Sequence, residues 1–149
     1  MLTTRRTRLA ALALAAVAAL TLGGAGAAQA KPPGTPAIPL DNEQETGEVT
    51  GGAHGFFSYE IDGGMLCYTL TAEGLTTPAV AAHIHVAPRN VNGPVVVPLV
   101  VEGSTEFSVT ECTTASDALL DAISASPRAY YVNVHTTRYP GGEIRGQLK

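Results

Sequence analysis

From about residue 55 to the end of the chain, apolar and polar residues alternate in short runs that are separated by turn residues. Such runs are typical of strands that bury one face, because successive side chains of a strand point to opposite sides of the sheet. Pro98 lies inside one run and predicts an edge strand or a bulge there, since proline has no N–H for a ladder. The predicted strands are 56–61, 65–71, 81–86, 94–101, 106–110, 130–136 and 143–148.

One segment has the spacing of a helix instead. Ser116 is a good helix cap, and Leu119, Leu120 and Ile123 lie on one face of a helical turn before Pro127 prevents extension. About seven to eight short antiparallel strands with one short helix predict an all-β fold, either a sandwich or a barrel.

The first 30 residues have the three parts of a secretory signal: a basic head, 14 nearly all-apolar residues at 9–22, and Ala28-Gln29-Ala30. We predict cleavage after Ala30, with an uncleaved N-terminal membrane helix as the alternative, because the apolar run is shorter than the about 20 residues that a spanning helix needs. No membrane span is expected after cleavage. The Arg5-Arg6 pair leaves the general secretory and twin-arginine routes both open. Residues 31–48, which are rich in proline and then acidic, predict a flexible leader before a domain at 49–149 that becomes ordered near Gly55.

Charge and cysteine content restrict the functions of this domain. Three of the nine basic residues and none of the 13 acidic ones lie in the first 30 positions, so residues 31–149 carry a net charge of −7 with neutral histidines. Nucleic acid is therefore excluded as a partner. Cys67 and Cys112 predict a disulfide in an exported chain, with two separate buried thiols as the alternative.

Histidines supply the candidate chemistry. His83 and His85 share one face of a predicted strand, and His135 shares a face of another strand with Tyr131 and Asn133. If these strands are neighbours, the three imidazoles converge on the outer face of the sheet, where they can bind Zn²⁺ or Cu²⁺. The alternative is a structural network in which exposed or half-exposed histidines hydrogen-bond to polar neighbours.

Further polar residues surround this predicted face. His54 is a candidate fourth ligand at a strand entrance. Glu143 and Arg145 alternate with apolar residues on the last strand, so Arg145 is expected to form an ion pair or a fork to backbone carbonyls, with an anion receptor as the alternative. No nucleophile elbow, phosphate-binding glycine loop or catalytic carboxylate pair is recognisable in the sequence.

Several motifs resemble the CHRD domain, a module named after chordin that occurs singly in secreted bacterial proteins. The resemblance covers about residues 55–148 and implies an immunoglobulin-like β-barrel or sandwich. The loop at 87–90 departs from it, since the family often has glycines after the His-x-His strand. The motifs are Ala82-His-Ile-His85, the run from Val91 to Leu99, and Tyr130-Tyr-Val-Asn-Val-His-Thr136 followed by Tyr139-Pro-Gly-Gly-Glu-Ile-Arg-Gly-Gln-Leu148.

Three functions follow as expectations. The first is a secreted, non-enzymatic structural or binding module whose partner is an unknown extracellular protein or envelope component. The second is a copper- or zinc-binding protein that uses His83, His85 and His135. The third is a copper redox enzyme, since the His-x-His strand with a distant strand histidine is similar to the copper side of Cu/Zn superoxide dismutases.

Overall fold

The computed structural model describes residues 37–149, which form eight strands, one α-helix and two short 3₁₀ turns. The strands are β1 (Ile38–Asp41), β2 (His54–Asp62), β3 (Met65–Glu73), β4 (Ala79–Val86), β5 (Val95–Leu99), β6 (Phe107–Thr114), β7 (Tyr130–Thr136) and β8 (Ile144–Gln147). The helix α1 spans Asp117–Ala125, and the 3₁₀ turns span Asn42–Gln44 and Pro127–Ala129.

All eight strands belong to one antiparallel sheet with the order β5-β4-β7-β8-β1-β2-β3-β6. The sheet curls until its two ends approach each other. The loop between β5 and β6 bridges them, because Val100 donates its N–H to the Tyr68 hydroxyl and the carbonyl of Ser104 accepts from Ala79. The all-β prediction is confirmed, and the architecture is a nearly closed barrel.

The predicted elements recur with small shifts of their ends. Strand β7 has the predicted bounds, and Ser116 caps α1 by accepting a hydrogen bond from Leu119 N. Strand β5, which contains Pro98, lies at an end of the sheet as predicted. Proline is tolerated there because an edge strand needs partners on one side only.

The beginning of the domain differs from the prediction. Residues 38–41 were expected within a flexible leader at 31–48, but they form β1 between β8 and β2. Ile38 and Leu40 are each 1% exposed, so they belong to the core although Pro39 stands between them. The residues before 37, with the predicted signal peptide and its cleavage site, lie outside the described part of the chain.

Close contact between β8 and β1 depends on Gly146. A Cβ at this position would meet the Pro39 carbonyl and the side chains of Ile38 and Leu40, so any other residue would separate the two strands. Gly146 therefore couples the last strand to the first one. The barrel interior is filled from all strands, chiefly by Ile38, Leu40, Phe57, Leu66, Leu70, Ile84, Ile123, Val132, Val134, Ile144 and Leu148.

The predicted disulfide is confirmed. Cys67 of β3 and Cys112 of β6 face each other across the two strands, with Cα atoms 3.9 Å apart, and the bridge spans 45 residues of sequence. Closing a loop of this length stabilises the fold by about 4 kcal/mol in the chain-entropy account. In residues 37–149, no helix has the length and apolar character that a membrane crossing requires.

The position of β1 predicts a large cost for Leu40→Ala. Removing a fully buried leucine side chain should lower the free energy of unfolding by about 2–5 kcal/mol, measured by urea denaturation. Val80→Ala is the matched control, because Val80 is 54% exposed and its loss should cost under about 0.5 kcal/mol. An equally small cost for Leu40→Ala would show that residues 38–41 are the flexible leader that the sequence indicated.

Candidate functional site

The pairing of β4 with β7 brings the three predicted histidines together. The two strands are antiparallel neighbours, with Ala81 opposite His135, His83 opposite Asn133 and His85 opposite Tyr131. Ile84, Val132 and Val134 point into the core, so the histidines lie on the outer face of the sheet. One ligand nitrogen from each of the three rings can be chosen so that all lie within 4.8 Å of one another.

Backbone carbonyls determine which nitrogen of two rings carries the proton. His85 Nδ1 lies 2.8 Å from the Gly93 carbonyl, and His135 Nδ1 lies 3.0 Å from the Pro140 carbonyl. A carbonyl oxygen can only accept, so Nδ1 donates in both rings and Nε2 of each neutral ring keeps its lone pair. His85 Nε2 is buried and has no hydrogen-bond partner among the described residues.

His83 completes the cluster through Nδ1, which lies 3.0 Å from His135 Nε2. Because His135 Nε2 holds a lone pair, His83 Nδ1 donates the hydrogen in this contact. A metal ion bound at His83 Nδ1 therefore requires the proton to move to His83 Nε2, on the part of the cluster that is only half-buried. His85 and His135 are 7% and 9% exposed, so His83 is the ring most open to solvent.

Burial favours the neutral form of two of these histidines, His83 and His135. The pKa of His135 is lowered to about 4: burial is the largest cause, the bond to Pro140 opposes it, and the nearby His83 and His85 add to the lowering. Burial, with a smaller effect of His85, also lowers the pKa of His83. Neutral imidazole is the form that binds metal ions, so the lowered pKa values of His83 and His135 favour binding at neutral pH.

Arg145 and Tyr131 support the cluster from the side of β8. The Tyr131 ring stacks on the His85 ring, with centroids 4.7 Å apart and planes 4° apart. The Arg145 guanidinium carbon lies 3.3 Å from the centroid of the Tyr131 ring. Since β7 lies between β4 and β8, Tyr131 links the guanidinium to the imidazole and restricts the orientation of both.

The loop 87–94 covers this polar face, which the sequence had indicated as open or half-open to solvent. Arg145 donates to the carbonyls of Pro88 and Val91 at 3.3 and 2.8 Å, the fork to backbone carbonyls that was one of its two expected roles. Gly93 N donates to the Tyr131 hydroxyl. Arg145 is consequently 0% exposed and Asn133 1% exposed, so burial of the face was not predicted.

Two residues grouped with this site in the sequence lie elsewhere. Glu143 precedes β8, so the alternation of side chains along that strand does not determine where its side chain points. Its carboxylate accepts hydrogen bonds from Thr136 and from Thr76, which lies in the β3–β4 connection. His54 lies on β2, separated from β7 by β8 and β1, and its ring is 3.5 Å from the Glu73 carboxylate. His54 is therefore not a fourth ligand of the cluster.

Glu45 is a half-buried titratable residue that the sequence did not indicate. Its carboxyl group packs against Gly142, where a Cβ would collide with it, and its Oε1 is buried without a hydrogen-bond partner among the described residues. Burial raises the pKa of Glu45 to about 7, although the Arg145 charge opposes this shift. Gly142 has a φ of +128° and no side chain, which makes room for Glu45. The sequence signal was weak because Glu45 lies in an acidic, irregular segment.

The fold and the site define a class: a disulfide-linked β-barrel domain with a cluster of three histidines on its outer face. Comparison with known families agrees with the motifs of the sequence. The family model of the CHRD domain matches residues 37–148, and the chain belongs to this family. The match begins with β1 and so includes the strand that the sequence motifs left out. No curated protein and no solved structure matches the chain.

The raised pKa of Glu45 predicts that Glu45→Gln stabilises the protein at high pH. Because the folded-state pKa of about 7 lies above the ordinary glutamate value of 4.5, the wild type loses stability as pH rises from about 4.5 to 7. The variant should gain about 1–2 kcal/mol at pH 8 and little at pH 4, after allowance for partial exposure. Thermal unfolding at both pH values measures the difference.

Glu60→Gln is the control for this experiment, because Glu60 is an exposed residue of β2. It removes the same charge without removing a buried carboxyl group. An equal gain in both variants would assign the effect to net charge, and a loss of stability in Glu45→Gln at pH 8 would contradict the burial account.

Proposed function

We propose that this CHRD domain is an exported, non-enzymatic binding protein whose ligand is a copper or zinc ion held by His83, His85 and His135. The observation that carries the proposal is the fixed direction of two lone pairs: the Gly93 and Pro140 carbonyls take the Nδ1 hydrogens, so Nε2 of His85 and of His135 keeps a lone pair. The lone pair of His135 accepts from His83 Nδ1, and a bound metal ion would replace that hydrogen. Hydrogen bonds of this kind orient histidine ligands in metalloproteins.

The distances are compatible with such a centre. Metal–nitrogen bonds of about 2.0–2.1 Å in tetrahedral geometry place ligand nitrogens roughly 3.4 Å apart. The ligand atoms here lie within 4.8 Å of one another, and the His83–His135 pair is already at 3.0 Å. Small rotations of the side chains are sufficient to close the set, and three neutral imidazoles suit copper and zinc better than calcium or magnesium.

The proposed export has separate support. The disulfide between Cys67 and Cys112 is typical of an oxidising compartment, and the first 30 residues have the pattern of a secretory signal. In that compartment the domain would meet metal ions without competition from reducing thiols. A metal ion that binds only the folded state would also stabilise the barrel against unfolding.

Calorimetric titration of the purified protein with Zn²⁺ and with Cu²⁺, together with metal analysis, tests the proposal. We expect about one equivalent with submicromolar affinity, and a loss of at least about 100-fold in His135→Ala, since even outer-shell changes cost 10–100-fold. His54→Ala is the matched control, because this exposed histidine lies on β2 away from the cluster. It should bind like the parent.

Two results would contradict the proposal. Binding by His135→Ala as tight as that of the parent would exclude the three-histidine site. Superoxide turnover by the copper-loaded protein that disappears in His135→Ala would replace the binding role with a catalytic one.

A further inference from the structure

The histidine cluster offers a metal ion three nitrogen atoms and no negative charge. In residues 37–149 the potential ligands that meet at this position are His83, His85 and His135, with no carboxylate or thiolate among them. Both cysteines are joined in the disulfide between β3 and β6. An ion bound here therefore keeps its full charge, because neutral imidazoles donate lone pairs without compensating that charge.

The neighbouring strands add no negative charge beside the rings. On β5, which pairs with β4, Pro98 stands opposite His83. Val95 of the same strand stands opposite His85 and is 48% exposed, so it shares the outer face of the sheet. On β7 the residue opposite His85 is Tyr131. These three neighbours are apolar or aromatic, and such surroundings make a charge more costly to hold.

Arg145 adds a fixed positive charge behind Tyr131. The two stacking distances, 3.3 and 4.7 Å, place its guanidinium carbon at most about 8 Å from the centroid of the His85 ring. Arginine stays protonated in proteins, and this one is 0% exposed. Glu45, an acidic residue whose charge acts on Arg145, lies outside the histidine group.

This charge discriminates between ions of different valence. At roughly 8–12 Å and an effective dielectric constant of about 20, each further unit of positive charge on a bound ion lowers its affinity about 10- to 30-fold. An ion with one positive charge is therefore the least disfavoured at this position.

The spacing of the three rings fits an ion with three ligands. Their centroids are 4.9, 5.5 and 6.0 Å apart. Bonds of about 2.0 Å to three nitrogens that lie in one plane with the ion hold ring centroids roughly 5.5 Å apart. Zn²⁺ and Cu²⁺ prefer at least four ligands, so each would need a further ligand from outside this group. Cu⁺ is also stable with three.

We propose that the ion selected by this cluster is Cu⁺, held by His83, His85 and His135 in preference to Cu²⁺ and Zn²⁺. This choice of ion rests on the metal-binding role proposed above. Imidazole suits copper, a single positive charge costs least beside the buried guanidinium, and three nitrogens complete the coordination. The ion enters already reduced, so no electron passes to or from the chain.

Anaerobic titration with Cu⁺ against a coloured Cu⁺ chelator, followed by voltammetry of the copper-loaded protein, tests the preference. We expect about one equivalent of Cu⁺ and a reduction potential at least about 59 mV above that of the aqueous copper couple. A tenfold preference for Cu⁺ over Cu²⁺ corresponds to this shift. An excess of Zn²⁺ of about tenfold should leave the bound Cu⁺ in place.

A carboxylate added beside the cluster tests whether charge sets the preference. Val95→Glu should weaken the preference for Cu⁺ about five- to tenfold and so lower the potential by about 40–59 mV. Val95→Gln is the matched control, because it has the same length without the charge and should keep the potential of the parent. Val95 is exposed, so both variants should fold like the parent. Arg145 is unsuitable for this test, since it also holds the loop 87–94.

Three results would overturn the assignment of Cu⁺: a potential at or below that of the aqueous couple, displacement of Cu⁺ by Zn²⁺, or equal shifts in Val95→Glu and Val95→Gln. Failure of the proposed metal binding has a different signature. Tight Zn²⁺ binding that is lost in His135→Ala but is not matched by Cu⁺ would overturn the choice of ion alone. Absence of binding of Cu⁺, Cu²⁺ and Zn²⁺ would overturn both.

Discussion

The burial of the Arg145 guanidinium is the interaction on which the outer face of the barrel depends. It donates to the carbonyls of Pro88 and Val91, lies on the Tyr131 ring and has no exposed surface. These contacts hold the loop 87–94 over the sheet. The same loop carries the Gly93 carbonyl that fixes the proton of His85. A charge on β8 therefore helps to set the tautomer of a histidine on β4, two strands away.

Two titratable groups of the covered face change the stability of the fold in opposite directions as the pH changes. Burial lowers the pKa of His135 to about 4 and raises the pKa of Glu45 to about 7. Below its usual pKa of about 6.5 the histidine makes the fold less stable as pH falls, whereas the glutamate makes it less stable as pH rises above about 4.5. Burial favours the neutral form of both groups. At moderately acid pH, Glu45 therefore supplies little negative charge to balance the positive charge of Arg145.

Strand periodicity was sufficient to predict most of the fold and part of the site. Residues that are two apart on one strand share a face, so the sequence predicted the proximity of His83 and His85. The pairing of β4 with β7 in the structure then adds His135. Strand β1 was missed because Pro39 and the neighbouring prolines outweighed the alternation of Ile38 and Leu40. The carbonyls of Gly93 and Pro140 and the burial of Glu45 depend on loops that fold over the sheet. Such contacts are long-range, and local spacing carries no information about them.

The direction of the Nε2 lone pairs of His85 and His135 is the central claim, and nitrogen NMR of the histidine side chains tests it most directly. Long-range ¹H–¹⁵N correlation spectra of the metal-free protein at pH 7 distinguish the two neutral tautomers and the charged ring. The account predicts that Nδ1 carries the hydrogen and Nε2 the lone pair in both rings, because Gly93 and Pro140 accept from Nδ1. Rings protonated at Nε2, or at both nitrogens, would contradict it.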